Sequence, residues 1–301
     1  MQSYRISRGF EKNIELINKE QKNMLVTMKD FDVMKITDSG QCFRMCELED
    51  GSFEVIHNKH YLNIRPSGYE EATGLFSVEF DCSEEEWERV WKPYFDIETD
   101  YEAMALMVDK DDAFLSQAVD YGRGIRILNQ DPWEILISFI ISQRKSIPAI
   151  RTSIERISAM CGDIIETKYG IRYGFPEPER IAGLTDEQLR ECGLGYRAAY
   201  VSEAARKVAS GEFDVYGVSK MNDEELREKL MTLKGVGKKV ADCVMLFGYR
   251  RLDSFPVDVW IKRALDEKYP EGFPFEQYSG YGGIMQQYIF FYMRNTKTIW
   301  K

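Results

Sequence analysis

The sequence predicts an α+β fold, a small N-terminal antiparallel sheet followed by a mainly helical body. Three observations carry this prediction. Short alternating runs, "FDVMKI", "FEVIHNKHYLNIR" and "LFSVEF", lie between about Leu25 and Phe80, with turn residues between them. Capped segments of helical period replace them after Ser83. "LKGVGKKVADC", Leu233 to Cys243, then sets a glycine turn between two helical segments.

In chain order, residues 1–25 are polar and weakly patterned and read as an N-terminal extension. Residues 26–120 are assigned to the sheet domain and 121–301 to the helical body. "SEEEWERVW" opens a helix with a capping box of Ser83 and Glu86. In "NQDPWEILISFIISQ", Asp131 caps, Pro132 takes the first helical position and Glu134 closes the box. Thr185 and Asn222 cap two further helices. "ADCVMLFGY", "DVWIKRALDEKY" and the amphipathic "YGGIMQQYIFFYMR" complete the body.

Composition narrows the function classes. No apolar run approaches a membrane span, and "MQSYRISRGFEKNIELINKEQKN" lacks the apolar core of a secretory signal. The six cysteines are scattered and His57 and His60 are the only histidines, so no metal site is expected and reduced thiols in the cytoplasm fit best. The net charge of −10 argues at first against a nucleic-acid partner. Its distribution argues otherwise. Residues 81–112 hold twelve acids and three bases, whereas 231–263 hold seven bases and three acids. A basic patch set apart from an acidic face suits a polyanion.

The glycine turn is not a Walker loop, because Gly235 and Gly237 are two apart and Lys239 follows Lys238. It is not a dinucleotide fingerprint, because Val240 stands where a third glycine is required and a helical segment precedes it. What remains is helix, turn, helix. The amides that begin the second helix form an anion site, so Gly235, Val236 and Gly237 can hold a DNA phosphate without reading sequence. The same residues also serve a plain helix hairpin.

Helical spacing separates the two lysines. Lys238 has Asp242 four residues on, which suits an ion pair. Lys239 has Cys243 and Phe247 at four and eight residues on, an apolar stripe. Partial desolvation, a neighbouring cation and a helix N-terminus would all favour the free amine there. Nineteen residues later Asp258 begins the helix of "FPVDVWIKRAL", a position at which aspartate is a common cap. Held rigidly and aimed at Lys239, its carboxylate would stabilise oxocarbenium character while the amine attacks a sugar C1′.

Together, "LKGVGKKVADC" and "FPVDVW" resemble the helix-hairpin-helix-GPD superfamily of DNA glycosylases. "SGQCFRM", "GIRILNQDPWEILISFI", "LGYRAAYV" and "YGGIMQQYIFF" are similar, in the same order, to its 8-oxoguanine DNA glycosylase/lyase branch, over about residues 30–295. The resemblance implies a TATA-binding-protein-like N-terminal sheet, two helical subdomains and a helix-hairpin-helix. It implies that Lys239 is the Schiff-base nucleophile and that Asp258 stabilises charge. A flipped base would meet Gly40, Phe139, Cys243, Phe247, Gln286 and Phe290. The Gly40 carbonyl would accept the N7 proton that only 8-oxoguanine carries, Gln286 would read the Watson–Crick edge, and Cys243 and Phe290 would sandwich the base. DNA would be held by Arg144, Lys145, Tyr196, Arg197, Gly235, Val236, Gly237 and Lys238. The implied partner is double-stranded DNA containing oxidised guanine, met by a monomer without a catalytic cofactor. The family's turn often holds a structural metal ion through hairpin carbonyls.

Three positions depart from the eukaryotic members. Arg144 stands where an asparagine fills the space left by the flipped base, Ala149 where an arginine reads the orphaned cytosine, and Trp260 where a histidine follows the catalytic aspartate. Weaker discrimination of the opposite base and a bacterial or archaeal source are expected. Two other functions compete: a monofunctional alkylated-base glycosylase, whose members typically lack the lysine, and a non-catalytic hairpin protein, which needs neither Lys239 nor Asp258.

Overall fold

The computed structural model describes residues 23–296. The extension expected over 1–25 lies outside these residues up to position 22, and its last two residues, Met24 and Leu25, open strand β1, Met24–Lys29. With β2 (Met45–Glu47), β3 (Phe53–His57), β4 (His60–Glu70) and β5 (Leu75–Phe80), it forms a five-stranded sheet ordered β1-β5-β4-β3-β2. Every pairing is antiparallel. "FDVMKI", expected as a strand, is instead the helix Val33–Asp38. The Asp32 carboxylate caps it by accepting from Lys35 N at 3.0 Å, and Val33, Ile36 and Thr37 are buried at helical spacing.

One face of the sheet is closed by a helical stretch that runs as Glu84–Glu86, a π-helical Trp87–Trp91 and Lys92–Tyr94. Phe31 meets Phe80 and Phe95 edge-on at 5.9 and 5.2 Å, a favoured aromatic geometry. Half of the expected capping box forms. Ser83 Oγ accepts from Glu86 N, but the Glu86 carboxylate accepts from Trp91 Nε1 at 3.2 Å and meets His60.

The helical body has its own core. Its centre is the helix Pro132–Ser142, which buries nine of eleven residues on all sides, as a helix surrounded by others must. Residues 101–120, divided with the sheet on sequence grounds, pack here. Tyr101, Leu115, Ala118 and Val119 share a core with Tyr288 and Phe291 of the C-terminal helix Gly282–Thr296. An antiparallel hairpin of β6 (Ile164–Thr167) and β7 (Gly170–Tyr173) interrupts the helices and was not foreseen. Its strands are four residues each, too short for alternation to stand out. The boxes at Thr185 and Asn222 are complete, closed by Gln188 and Glu225.

Two buried arginines join the parts. The Arg126 guanidinium donates to the carbonyls of Asp30, Phe95, Asp96 and Thr99. Arg44 donates to Glu155 Oε1 at 2.9 Å and to the Tyr173 carbonyl. Such charges persist inside a protein only when paired or hydrogen-bonded, and Arg44 meets this through Nε and Nη2 while its Nη1 has no partner. Between these anchors the segment Ser39–Arg44 is laid against the helical body.

Candidate active site

The hairpin begins with Asp223–Met231 and ends with Lys238–Phe247. The side chains of Leu233 and Val236 are buried and pin the turn to the core. Gly235 lies at φ +83°, and a Cβ there would overlap the Tyr200 ring. Gly235→Ala is therefore expected to cost about 2–3 kcal/mol through backbone strain and displacement of Tyr200. Thermal melting and duplex titration check it, and an unchanged melting temperature would refute it. Gly237 is the N-cap and offers no side-chain cap, so the first-turn amides are open to an external acceptor such as a phosphate. Val236 supplies less than expected, because its N–H already donates to Leu233 O at 3.0 Å.

The lysines diverge as their spacing implied, with two corrections. Asp242 does not pair with Lys238. It is buried and accepts from Arg227 Nε at 2.7 Å, while Lys238 is exposed. Lys239 does turn toward Cys243, and its ammonium nitrogen lies 5.3 Å from the centroid of the Phe139 ring. The desolvation expected of it is not supplied by the described protein, because Lys239 sits in the first turn at the mouth of the cleft and is exposed. Water exclusion is left to whatever fills the cleft.

That cleft holds about 320 Å³ of empty space open to solvent. Lys239, Asp258, Gly40, Phe139, Cys243, Phe247, Gln286 and Phe290 all line it, brought together from five segments. Phe139 and Phe247 stack at 5.6 Å and form an aromatic floor that is also core. Burial is the foremost cause that pushes the Cys243 thiol up to about 11, with Lys239 opposing, so the sulfur stays a neutral packing group. Asp258 is both things its position allowed. Its Oδ1 accepts from Trp260 N and Ile261 N at 3.0 and 2.9 Å, and Oδ2 is not used by the cap. Gln286 is buried and donates from Nε2 to Pro256 O at 3.0 Å. Its Oε1 is buried without a partner, an acceptor waiting for a donor. Gly40 lines the cleft at φ +77°, and a Cβ there would press the Phe290 ring at 3.2 Å, so the position favours glycine.

The rim agrees less well. Arg144 is exposed in the left-handed region at φ +51°, and Tyr196 is exposed on the Tyr200 edge. Arg197, expected against DNA, is buried. It donates from Nε to Gln143 O at 2.8 Å and from Nη1 to Leu194 O at 3.2 Å, and its guanidinium underlies the Tyr196 ring at 4.4 Å. It holds the carbonyl of Gln143, the C-cap of the Pro132–Ser142 helix. Lys145 is likewise turned inward, to Gly193 O at 2.9 Å and to Ser153 Oγ. Burial, then the nearby Arg197 and Arg156 charges, lower its pKa.

Three lining residues escaped the sequence reading: Ser39, Pro256 and Gln287. The available signal was the "QQ" pair within an otherwise apolar helical stretch. Among the described residues no cluster of His, Cys, Asp and Glu could hold a metal ion. A cation at the hairpin would rest on carbonyls. Those of Leu233 and Gly235 each accept one hydrogen bond, from Val236 N and Gln143 Nε2, and keep a second lone pair.

Family models match the chain in two parts, the 8-oxoguanine DNA glycosylase N-terminal domain over residues 23–136 and the HhH-GPD superfamily base excision DNA repair protein over 137–270. A probable N-glycosylase/DNA lyase of Methanothermobacter thermautotrophicus is 31% identical over 281 residues, 82% of this chain and 85% of that protein. The chain belongs to the 8-oxoguanine DNA glycosylase family. Within that glycosylase family, the N-glycosylase/DNA lyase of Saccharomyces cerevisiae is 40% identical over 159 residues, covering 49% of this chain and 42% of the yeast protein. The 8-oxoguanine glycosylase/lyase of Clostridium acetobutylicum, solved with double-stranded DNA containing cytosine opposite 8-oxoguanine, superposes with a TM-score of 0.82. It is 33% identical, over 92% of this chain and 99% of that one.

Proposed function

We propose that this glycosylase excises 8-oxoguanine from duplex DNA and then cleaves the strand as a lyase, through a Schiff base on Lys239. The observation that supports this best is the convergence of Lys239, Asp258, Gly40 and Gln286 on one cleft. The flipped base would enter over the Phe139–Phe247 stack, with Phe290 and Cys243 beside it. The Gly40 carbonyl accepts the N7 proton, and the unpartnered Gln286 Oε1 accepts from the Watson–Crick edge.

Attack uses the amine form of Lys239. Its lone pair forms a bond to C1′ as the bond to the base breaks, and the Asp258 carboxylate balances the positive charge that develops on the sugar. The base departs as its anion, the nitrogen gives up one of its two protons, and the sugar ring opens with a proton delivered to O4′, which gives the protonated Schiff base. The iminium then acidifies C2′. Removal of a proton there, with the released base assisting, expels the 3′ phosphate. The exposed basic turn grips a flanking phosphate, and a structural cation on the hairpin carbonyls would brace that turn.

A competing alkylated-base glycosylase needs no lysine at position 239, and a binding-only hairpin needs no cleft. The test offers duplexes containing 8-oxoguanine or 3-methyladenine to the wild type and follows base release and strand scission. Scission at 8-oxoguanine supports the proposal; release of alkylated base alone overturns it.

Ala149, in the first turn of the helix Ile147–Cys161, brings no guanidinium to the opposite strand. Nearby Arg151 and Arg197 donate to Thr37 O and Gln143 O inside the protein. Excision opposite the four bases is therefore expected to lose about 1–3 kcal/mol of cytosine preference, the worth of one bidentate reader. A full preference for cytosine in single-turnover assays would refute this. Among the described residues no helix is long and apolar enough to cross a membrane. We place the protein in the cytoplasm, acting on DNA as a monomer.

A further inference from the structure

In the proposed function one main-chain carbonyl, that of Gly40, distinguishes 8-oxoguanine from guanine. A carbonyl reads a proton only if its direction is set, and glycine at φ +77° has no side chain to set it. The neighbouring peptides do so instead.

On the C-terminal side, Gln41 is fully buried. Its side chain donates to Ser39 Oγ at 2.9 Å and to Arg126 O at 2.8 Å, and accepts from Leu128 N at 2.8 Å. Its own carbonyl accepts from Gln130 Nε2 at 3.0 Å. On the N-terminal side, Ser39 O accepts from Gln287 Nε2 at 2.6 Å, and Gln287 is buried too. The Ser39–Gly40 peptide is thus held from one side and Gln41 from the other. The Gly40 carbonyl lies between these two held groups.

Gln287 comes from the helix that also carries Gln286. Successive helical positions point about 100° apart, so the pair can serve two walls of one cleft. Gln286 holds Pro256 O on the wall that bears Asp258, and Gln287 holds Ser39 O on the wall that bears Gly40. A carbonyl partner requires the amide nitrogen as donor, which settles both orientations.

We propose that Gln287 is a positioning residue for lesion recognition, which aims the Gly40 carbonyl through the Ser39–Gly40 peptide. This rests on the functional reading above. The lyase step at a site that has already lost its base does not use the Gly40 carbonyl, and that separates the role from a merely structural one.

The experiment compares single-turnover excision of 8-oxoguanine with cleavage at a preformed abasic site, for the full chain carrying Gln287→Met or Gln287→Ala. Methionine keeps most of the volume and removes the donor. Excision is expected to fall about tenfold in both variants, the factor of one ordinary hydrogen bond, with abasic cleavage within about twofold of wild type. Gln130→Met, which frees the Gln41 carbonyl, should give the same split. Equal falls in the two reactions would make Gln287 a structural residue and overturn the proposal, as would no fall in either. A wild type that cleaves abasic sites but leaves 8-oxoguanine in place would overturn the functional reading itself.

Discussion

Lys239→Gln is expected to abolish the covalent adduct that borohydride traps between this protein and a duplex containing 8-oxoguanine. Excision should fall by at least about 10³-fold, since the proposed nucleophile is removed. Glutamine is close to lysine in length and can still lie over the Phe139 ring, so affinity for the lesion duplex should persist. Lys238→Gln is the matched control. Lys238 is one position away, exposed, and not among the residues that line the cleft. Its loss should weaken duplex binding in a salt-dependent way and leave the adduct intact. An adduct that survives Lys239→Gln and vanishes with Lys238→Gln would reverse the assignment of the two lysines.

The second large effect is at Asp258, where one side chain has two separable duties. Asparagine keeps an oxygen that can accept from Trp260 N and Ile261 N, and it is as good an N-cap as aspartate. It removes the negative charge. Asp258→Asn should therefore melt near the wild type while kcat falls about 10²–10³-fold, the usual consequence of removing one preorganised electrostatic group. Asp258→Ala should lose the same activity and, in addition, about 1 kcal/mol of stability from the missing cap. Thermal melts beside single-turnover excision separate the two. If Asp258→Asn excised at the wild-type rate, the residue would be a cap and nothing more.

Much of this enzyme is legible along the chain. The turn residues between short alternating runs marked most of the sheet, and the caps at Asp131, Thr185 and Asn222 marked helix starts where they occur. Local signals of this kind are written within a few residues. "FDVMKI" failed because six residues fit both periods, and burial of Val33 and Ile36 in the core of the sheet domain decided for helix. The β6–β7 hairpin failed for the same brevity.

Partner choice was the least legible feature. Asp242 stands four residues from Lys238, the spacing of a helical ion pair, yet it takes Arg227 from the preceding helix. Burial explains the exchange: a guanidinium brought by tertiary packing reaches a buried carboxylate better than an exposed lysine on its own helix. Arg197 and Lys145 were placed against DNA by their position in a motif. Their charges are instead used on carbonyls that the ends of neighbouring elements leave open.

The fold class, the separation of Lys239 from Lys238 by helical face, and the standing of Asp258 as a cap at the head of its helix were all readable along the chain. Each is a property of neighbours in the chain, set by period, capping and glycine dihedrals. Tertiary packing brings Gly40 and Gln286, from opposite ends of the chain, into one cleft with them and lets Gln287 bridge to Ser39. It also turned Arg197 inward. Those outcomes depend on which buried donor meets which buried acceptor, and the energy of an unpaired polar group selects them only once the two cores have closed.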